Sequence, residues 1–216
     1  AVNSRADFEQ MITGYDAAIR YVDSHLKQVI DEIEREGVLD ETAIIITGDH
    51  GDAFGEHGIY SDHVCADECI HRIPMIVRWP GVADGEPTCY DLLCNVDLSA
   101  TLCELMGAKV PEKWDGQSFA PQVRGEAGDG GRDYLVWDTG LYTAQRAVRT
   151  RDHLMIRTFD GERYAHFRPV ELYHITEDPH QTRDLAREQP QIVEHCDGLM
   201  ALWLDEQRER HGEIKD

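Results

Sequence analysis

The sequence lacks several features that would define large classes of protein. No apolar run approaches the roughly 20 residues that cross a bilayer, so no membrane span is expected. The N-terminal stretch, residues 1–10, has neither a basic start nor an apolar core and does not read as a signal peptide. No C-x-x-C pair occurs among the six cysteines (Cys65, Cys69, Cys89, Cys94, Cys103, Cys196), which removes the usual zinc-ribbon and thioredoxin patterns. A chain of 216 residues can build a core without disulfide staples, so mostly reduced thiols and a cytoplasmic setting are expected. Basic charge is scarce, with 21 Lys and Arg against 42 Asp and Glu for a net charge of −21. Such an acidic chain is not expected to coat nucleic acid, which calls for a basic stripe. Internal repeats and low-complexity tracts are also missing.

What is present is globular: 41% apolar and 29% charged residues. Phe8, Met11, Ile12, Tyr15, Ile19, Val22, Leu26, Val29, Ile30 and Ile33 recur at helical spacing, with Gly37 as a stop. Residues 42–47 form a β-branched run, expected as a strand buried on both faces in the middle of a parallel sheet. A second such run covers 74–79, and a helix is expected over 97–106, ending at Gly107. Helix, strand, strand and helix in this order indicate an α/β sheet. Residues 111–133, rich in Gly and Pro, read as a surface connection. Shorter strand-like runs follow at 134–137, 146–149, 153–157 and 171–174. A last helix over 190–210 is expected to bury Ile192, Val193, His195, Leu199, Leu202 and Trp203. Residues 1–125 are therefore assigned to an α/β unit and 126–216 to a small antiparallel α+β subdomain. Six arginines lie between 141 and 170, either as edge-strand charges or as a wall facing an anionic substrate.

The chemistry-bearing residues crowd at the carboxyl end of the first strand: Asp49, His50, Asp52, Glu56, His57, Asp62, His63, Asp67, Glu68 and His71. Ligands of open α/β sheets bind at that edge. A carboxylate beside an imidazole can hold a divalent ion, with Ca²⁺, Mg²⁺, Mn²⁺ and Zn²⁺ all compatible with such donors. A capped turn with surface histidines is the plainer alternative.

The stretch Thr47-Gly48-Asp49-His50-Gly51-Asp52-Ala53-Phe54-Gly55-Glu56-His57-Gly58 resembles the C-terminal metal motif of sulfatases, within the alkaline phosphatase superfamily. The resemblance continues through residues 72–81, 95–102 and 115–118, and through Glu171-Leu172-Tyr173-His174, Glu177-Asp178-Pro179 and Arg183-Asp184-Leu185. Tyr15, Ala18 and Asp23 match the helix before the motif. The resemblance implies an alkaline-phosphatase-like sheet flanked by helices, here partial, followed by the small subdomain. It implies metal-dependent hydrolysis of a sulfate ester on a sulfated small molecule or sugar, with Ca²⁺ as the first choice of metal and Mn²⁺ or Zn²⁺ behind it. Asp49 and His50 would be metal ligands. His63 stands where many sulfatases carry a sulfate-contacting Lys, and would bind the anion or protonate the leaving oxygen. Arg72 would be a structural charge beneath the site, and His57 and His71 receive no role.

One departure is large. Sulfatases use a formylglycine made from a Cys-x-Pro-x-Arg or Ser-x-Pro-x-Arg motif, together with a pair of N-terminal aspartates, and neither is in this sequence. The expectation is the C-terminal part of a sulfatase-like hydrolase, inactive alone. Its exposed apolar face should bind the complementary N-terminal portion or a second copy of itself. A phosphodiester or phosphonate monoester hydrolase, and a non-catalytic anion- or partner-binding domain, are the rival functions.

Overall fold

A computed structural model describes residues 2–83, 88–126, 131–161 and 164–212. Gly128 and Gly130 of the Gly-rich connection, and Arg163 of the basic stretch, lie outside the described residues.

The first helix, α1 (Arg5–Arg35), is capped by Ser4, whose hydroxyl accepts the Asp7 amide at 3.1 Å. Ion pairs such as Arg5–Glu9 and Lys27–Asp31 at four-residue spacing support it weakly. None of its 31 residues is buried, and Ile19, Val22 and Val29 are exposed. It touches the remaining fold through ring contacts, Phe8 with Tyr60 and Tyr15 with Phe54.

Strand β1 (Ile44–Thr47) is built from β-branched residues that favour extended backbone. A short hairpin of β2 (Ala53–Phe54) and β3 (Tyr60–Asp62) follows, then one turn of helix, α2 (Glu68–His71), and strand β4 (Met75–Arg78). β1 pairs with β4 antiparallel, Ile44 facing Arg78 and Thr47 facing Met75. The expectation of a doubly buried strand in a parallel sheet is therefore corrected. The apolar run reflects a surface still open among the described residues: β1 is only half-buried at Ile44–Ile46, and Ile76 on β4 is 62% exposed.

Helix α3 (Asp97–Leu105) ends at Gly107 with φ +70. Asp97, almost fully buried, pairs with Arg132 and accepts the Gln117 amide at 2.7 Å and the Cys94 amide at 3.1 Å. The bonds to Gln117 and Arg132 join α3 to the two ends of the Gly-rich connection. Asp97→Ala strips partners from a charged guanidinium and two amides. It is expected to cost about 3–5 kcal/mol, read as a fall in the urea unfolding midpoint against wild type. A short helix, α4 (Ala120–Val123), comes next.

The C-terminal part is a four-stranded antiparallel meander, β5 (Tyr134–Thr139), β6 (Ala144–Thr150), β7 (His153–Asp160) and β8 (Val170–His174), in sequential order. Helix α5 (Pro190–His211) packs on it. Pro190 pre-sets the first helical turn, and Arg208, Arg210 and His211 favour the last. The buried face of α5 carries Cys196 and Met200 with Ile192, Val193, Leu199 and Leu204, against Val148, Met155 and Leu172. His195 and Leu202, expected on that face, are exposed. Cys196 and Met200 shift the apolar stripe by about a third of a turn.

Four arginines of the basic stretch are structural charges. Arg146 pairs with Asp138, Arg149 with Glu68, Arg157 with Asp197 and Arg168 with Asp184. Two of these join a helix to the sheet: Arg149 holds α2 on β6, and Arg157 holds α5 on β7. No helix among the described residues is long and apolar enough to cross a membrane.

Candidate metal and anion site

The site forms because two chain segments return to one place. β1 ends at Thr47, and Asp49 and His50 follow in the Gly48–Asp52 loop. The hairpin then carries the chain out and back. Its turn needs left-handed backbone, at Gly55 with φ +117, His57 with φ +50 and Gly58 with φ +75. A register shift between Ala53 and Phe54 twists the pair. Ala53 and Ile59 bury the hairpin against Val64, Cys65 and Ile70. β3 delivers His63 onto His50, with ring centroids 4.1 Å apart and planes 28° apart.

The loop rests on α2. The Gly51 amide donates to the Ile70 carbonyl at 2.7 Å. A Cβ on Gly51 would lie 2.1 Å from the Cys69 carbonyl oxygen, so only glycine allows this approach.

His50 Nδ1 lies 2.8 Å from the Gly51 carbonyl. A carbonyl can only accept, so the ring proton sits on Nδ1 and the Nε2 lone pair is free for a cation. Asp49 accepts the His50 amide at 3.0 Å. Backbone amides of Asp49 and His50, then the His50 and His63 imidazoles, hold its carboxyl below the usual carboxylate range. It therefore stays ionised near neutral pH, as a hard cation requires. Asp52 Oδ1 lies 3.6 Å from His63 Nδ1. His50, Asp52 and His63 each offer a donor atom within 4.8 Å of the others. The donor set, two imidazoles and a carboxylate with Asp49 adjoining, fits a divalent ion. Sequence reasoning proposed His50 and His63 for different roles and gave Asp52 none. The structure brings the three together and leaves Asp49 outside the tight group.

His57 and His71, unassigned from the sequence, are both inward-facing. His57 Nε2 lies 3.4 Å from Asp67 Oδ1, and its ring meets Tyr173 edge-on. His71 stacks on Trp137 at 4.8 Å, with Nε2 buried and unbonded. Burial lowers its pKa to about 4. Arg72, expected beneath the site, is exposed on the rim of a cavity of about 210 Å³ shared with His57, Cys69, His180 and Gln181.

The depressed His71 value makes stability depend on pH. Above about 6.5, His71 is neutral whether folded or unfolded, and no penalty arises. As pH falls from there to about 4, the unfolded chain takes up a proton that the folded chain resists. Stability is therefore lost across that window, by up to about 3 kcal/mol for a shift of this size. Urea unfolding at pH 7 and pH 4.5 should show a smaller acid loss in His71→Phe than in wild type. An equal loss would assign the acid sensitivity elsewhere.

The segment behind the site is stitched to the C-terminal sheet by side chains. The Ala66 amide donates to Gln145 Oε1 and the Glu68 amide to Gln181 Oε1, both at 2.9 Å, and Trp137 Nε1 donates to the Ala66 carbonyl at 3.1 Å.

The Sulfatase family model matches residues 2–108. N-acetylglucosamine-6-O-sulfatase of Bacteroides thetaiotaomicron is 26% identical over 213 residues, covering 92% of this chain and 37% of the relative. A solved structure in complex with its substrate, D-glucosamine-2-N,6-O-disulfate, superposes with a TM-score of 0.84 at 23% identity, over 100% of this chain and 45% of that one. A phosphonate monoester hydrolase from Silicibacter pomeroyi superposes at 0.68 and 22% identity, over 88% of this chain and 40% of its own. These two likenesses establish the fold, which is alkaline-phosphatase-like with antiparallel sheets. The chain spans well under half the length of the proteins it matches. The motif at the end of β1, the shared fold and the run of sulfatase relatives together place the chain in the sulfatase family.

Proposed function

We propose that the chain is the C-terminal part of a metal-dependent hydrolase of sulfate esters, with residues 1–125 belonging to its catalytic α/β domain and 126–216 forming a subdomain. The nucleophile in this reading is a formylglycine from the N-terminal part, and the chain alone is inactive. The observation that carries the reading is the stacked His50–His63 pair beside Asp49 and Asp52 at the end of β1. A bare protein surface has no need to gather two imidazoles and two carboxylates there.

In this proposal Asp49 and His50 hold the cation, Ca²⁺ first and Mn²⁺ or Zn²⁺ next. A bound cation would polarise the ester oxygens and offset their charge. His50 presents Nε2 because its Nδ1 proton is committed to the Gly51 carbonyl. His63 either holds an anionic oxygen or gives a proton to the leaving oxygen, and Asp52 Oδ1 lies 3.6 Å from its Nδ1. The substrate is a sulfated sugar or small molecule, in keeping with the sulfated glucosamines on which the relatives act. The exposed faces of α1 and β4 are where the N-terminal portion would pack.

The phosphonate monoester hydrolase likeness keeps a second reading alive, in which the ester is a phosphonate. A panel of aryl sulfate, aryl phosphonate monoester and phosphodiester, given to the intact enzyme, separates the two. The sulfate reading expects the highest kcat/KM on aryl sulfate. A preference for the phosphonate overturns it.

A further inference from the structure

Gln181 is a buried polar residue far from the candidate site in sequence, and the proposed hydrolysis gives it no role. It is 5% exposed and holds left-handed backbone, with φ +53, a conformation uncommon for residues other than glycine. The turn around it keeps it there. The Gln181 backbone amide donates to the Asp178 carbonyl at 3.0 Å. The Asp178 carboxylate accepts the Thr182 hydroxyl at 3.0 Å and the Arg183 amide at 2.8 Å. The turn thus aims the Gln181 side chain at the start of α2.

Both ends of that side-chain amide are committed. Oε1 accepts the Glu68 amide, and Nε2 donates to Asp67 Oδ1, both at 2.9 Å. The first amides of a helix have no partner within it, and Asp67, which precedes α2, makes no side-chain cap. Gln181 supplies that cap from 113 residues away. The other links to this segment go elsewhere. Gln145 and Trp137 bond Ala66, and Arg149 takes the Glu68 carboxylate.

From α2 the bonds run towards both rings of the site. The Ile70 carbonyl accepts the Gly51 amide at 2.7 Å, and the Gly51 carbonyl accepts His50 Nδ1–H at 2.8 Å. That succession of bonds fixes where His50 Nε2 points. On the other side, Asp67 Oδ1 lies 3.4 Å from His57 Nε2. His57 belongs to the left-handed turn of the hairpin that brings His63 onto His50. One side-chain amide therefore touches a helix that holds one ring and a carboxylate that meets the turn carrying the other.

We propose that Gln181 is a positioning residue for the His50–His63 pair, bridging Glu68 and Asp67 so that the His50 loop and the hairpin stay in register. The proposal rests on the reading of that pair as part of a hydrolase site. Without the bridge, α2 keeps its ion pair with Arg149 but loses its hold at the first backbone amide, and the two rings separate. The reacting groups themselves are unchanged. The effect is therefore that of an outer partner of a metal ligand, about 10–100-fold in activity.

The test uses the isotope-labelled full chain, whose imidazole nitrogens and ring protons are read by NMR without metal or substrate. Wild type should show a His50–His63 ring-proton Overhauser contact and a His50 proton on Nδ1. Gln181→Met keeps the side-chain length and removes both bonds. Gln181→Glu keeps the acceptor for Glu68 and sets two carboxylates face to face. Each should lose the ring contact and leave His50 a mixture of tautomers. Asp67→Asn combined with Gln181→Glu puts a donor back opposite an acceptor and should restore both signals. The His153–His174 contact on the C-terminal sheet, with centroids 4.6 Å apart, should persist in every variant. In the intact enzyme, Gln181→Met should lower kcat/KM about 10–100-fold on whichever ester of the panel is turned over. If Gln181→Met does not fold, Gln181→Glu and the paired exchange carry the same comparison. Unchanged His50 and His63 signals in the single variants, or no recovery in the paired exchange, would overturn the proposal. Loss of the His153–His174 contact alongside would also overturn it, by making Gln181 a general support of the fold. Because the ring signals need no turnover, failure of the hydrolase reading and failure of this proposal are separate results.

Discussion

His63→Ala in the intact enzyme is expected to lower kcat/KM on an aryl sulfate by roughly two to four orders of magnitude. The expectation follows from placement. His63 is brought onto His50 by a hairpin whose turn requires left-handed backbone at Gly55, His57 and Gly58, and Asp52 faces its Nδ1 at 3.6 Å. If the ring protonates the leaving oxygen, alanine removes the proton source and the rate falls at saturation as well as at low substrate. If the ring only holds the anion, KM rises while kcat changes little. His63→Lys should recover part of an anion-holding role, because an ammonium group supplies the charge. It should recover less of an acid role, because an ammonium group gives up its proton less readily. Steady-state kinetics on both variants reads the two cases apart, and wild-type kcat/KM in His63→Ala would return His63 to an exposed histidine of the hairpin.

The second large effect is expected at the cation. Asp49→Ala removes an ionised carboxylate and His50→Ala removes the imidazole whose Nε2 is free. Outer partners of a metal ligand are worth about 10–100-fold in affinity, so loss of a ligand itself should cost more. Each variant should lose metal by elemental analysis and lose activity in step. Asp52→Asn decides how the tight group divides its work. Retained metal with a reduced rate makes Asp52 a partner of His63, whereas lost metal makes it a ligand alongside His50. Full metal content in Asp49→Ala would remove Asp49 from the ligand set.

Much of the frame was legible in the sequence because it rests on local signals. Helical spacing and a terminal glycine place α1, and the β-branched run Ile44-Ile45-Ile46 places β1. Asp49 and His50 were locatable because a buried-type run ending in glycines marks a strand's carboxyl edge. Partner choice was not legible. An Ile-rich run looks alike in a parallel and an antiparallel pair, so the antiparallel β1–β4 pairing and the open face at Ile76 had no local trace. The roles of His57, His71 and Asp67 depend on contacts more than 60 residues away, with Tyr173, Trp137 and Gln181, and spacing within residues 57–71 carries no record of them. The arginines of β6 and β7 read as a possible anion wall until Glu68, Asp138 and Asp197 were seen beside them. Asp52 was visible as a carboxylate near the motif, but its distance from His63 is set by the hairpin's return.

The most direct test of the account is release of inorganic sulfate from an aryl sulfate by the intact protein, measured as prepared, after metal removal by a chelator, and after Ca²⁺ is restored, beside the isolated chain. Sulfate release that stops on chelation, returns with Ca²⁺ and is missing from the isolated chain is the predicted result. Release undiminished by metal removal, or turnover by the isolated chain, would contradict it.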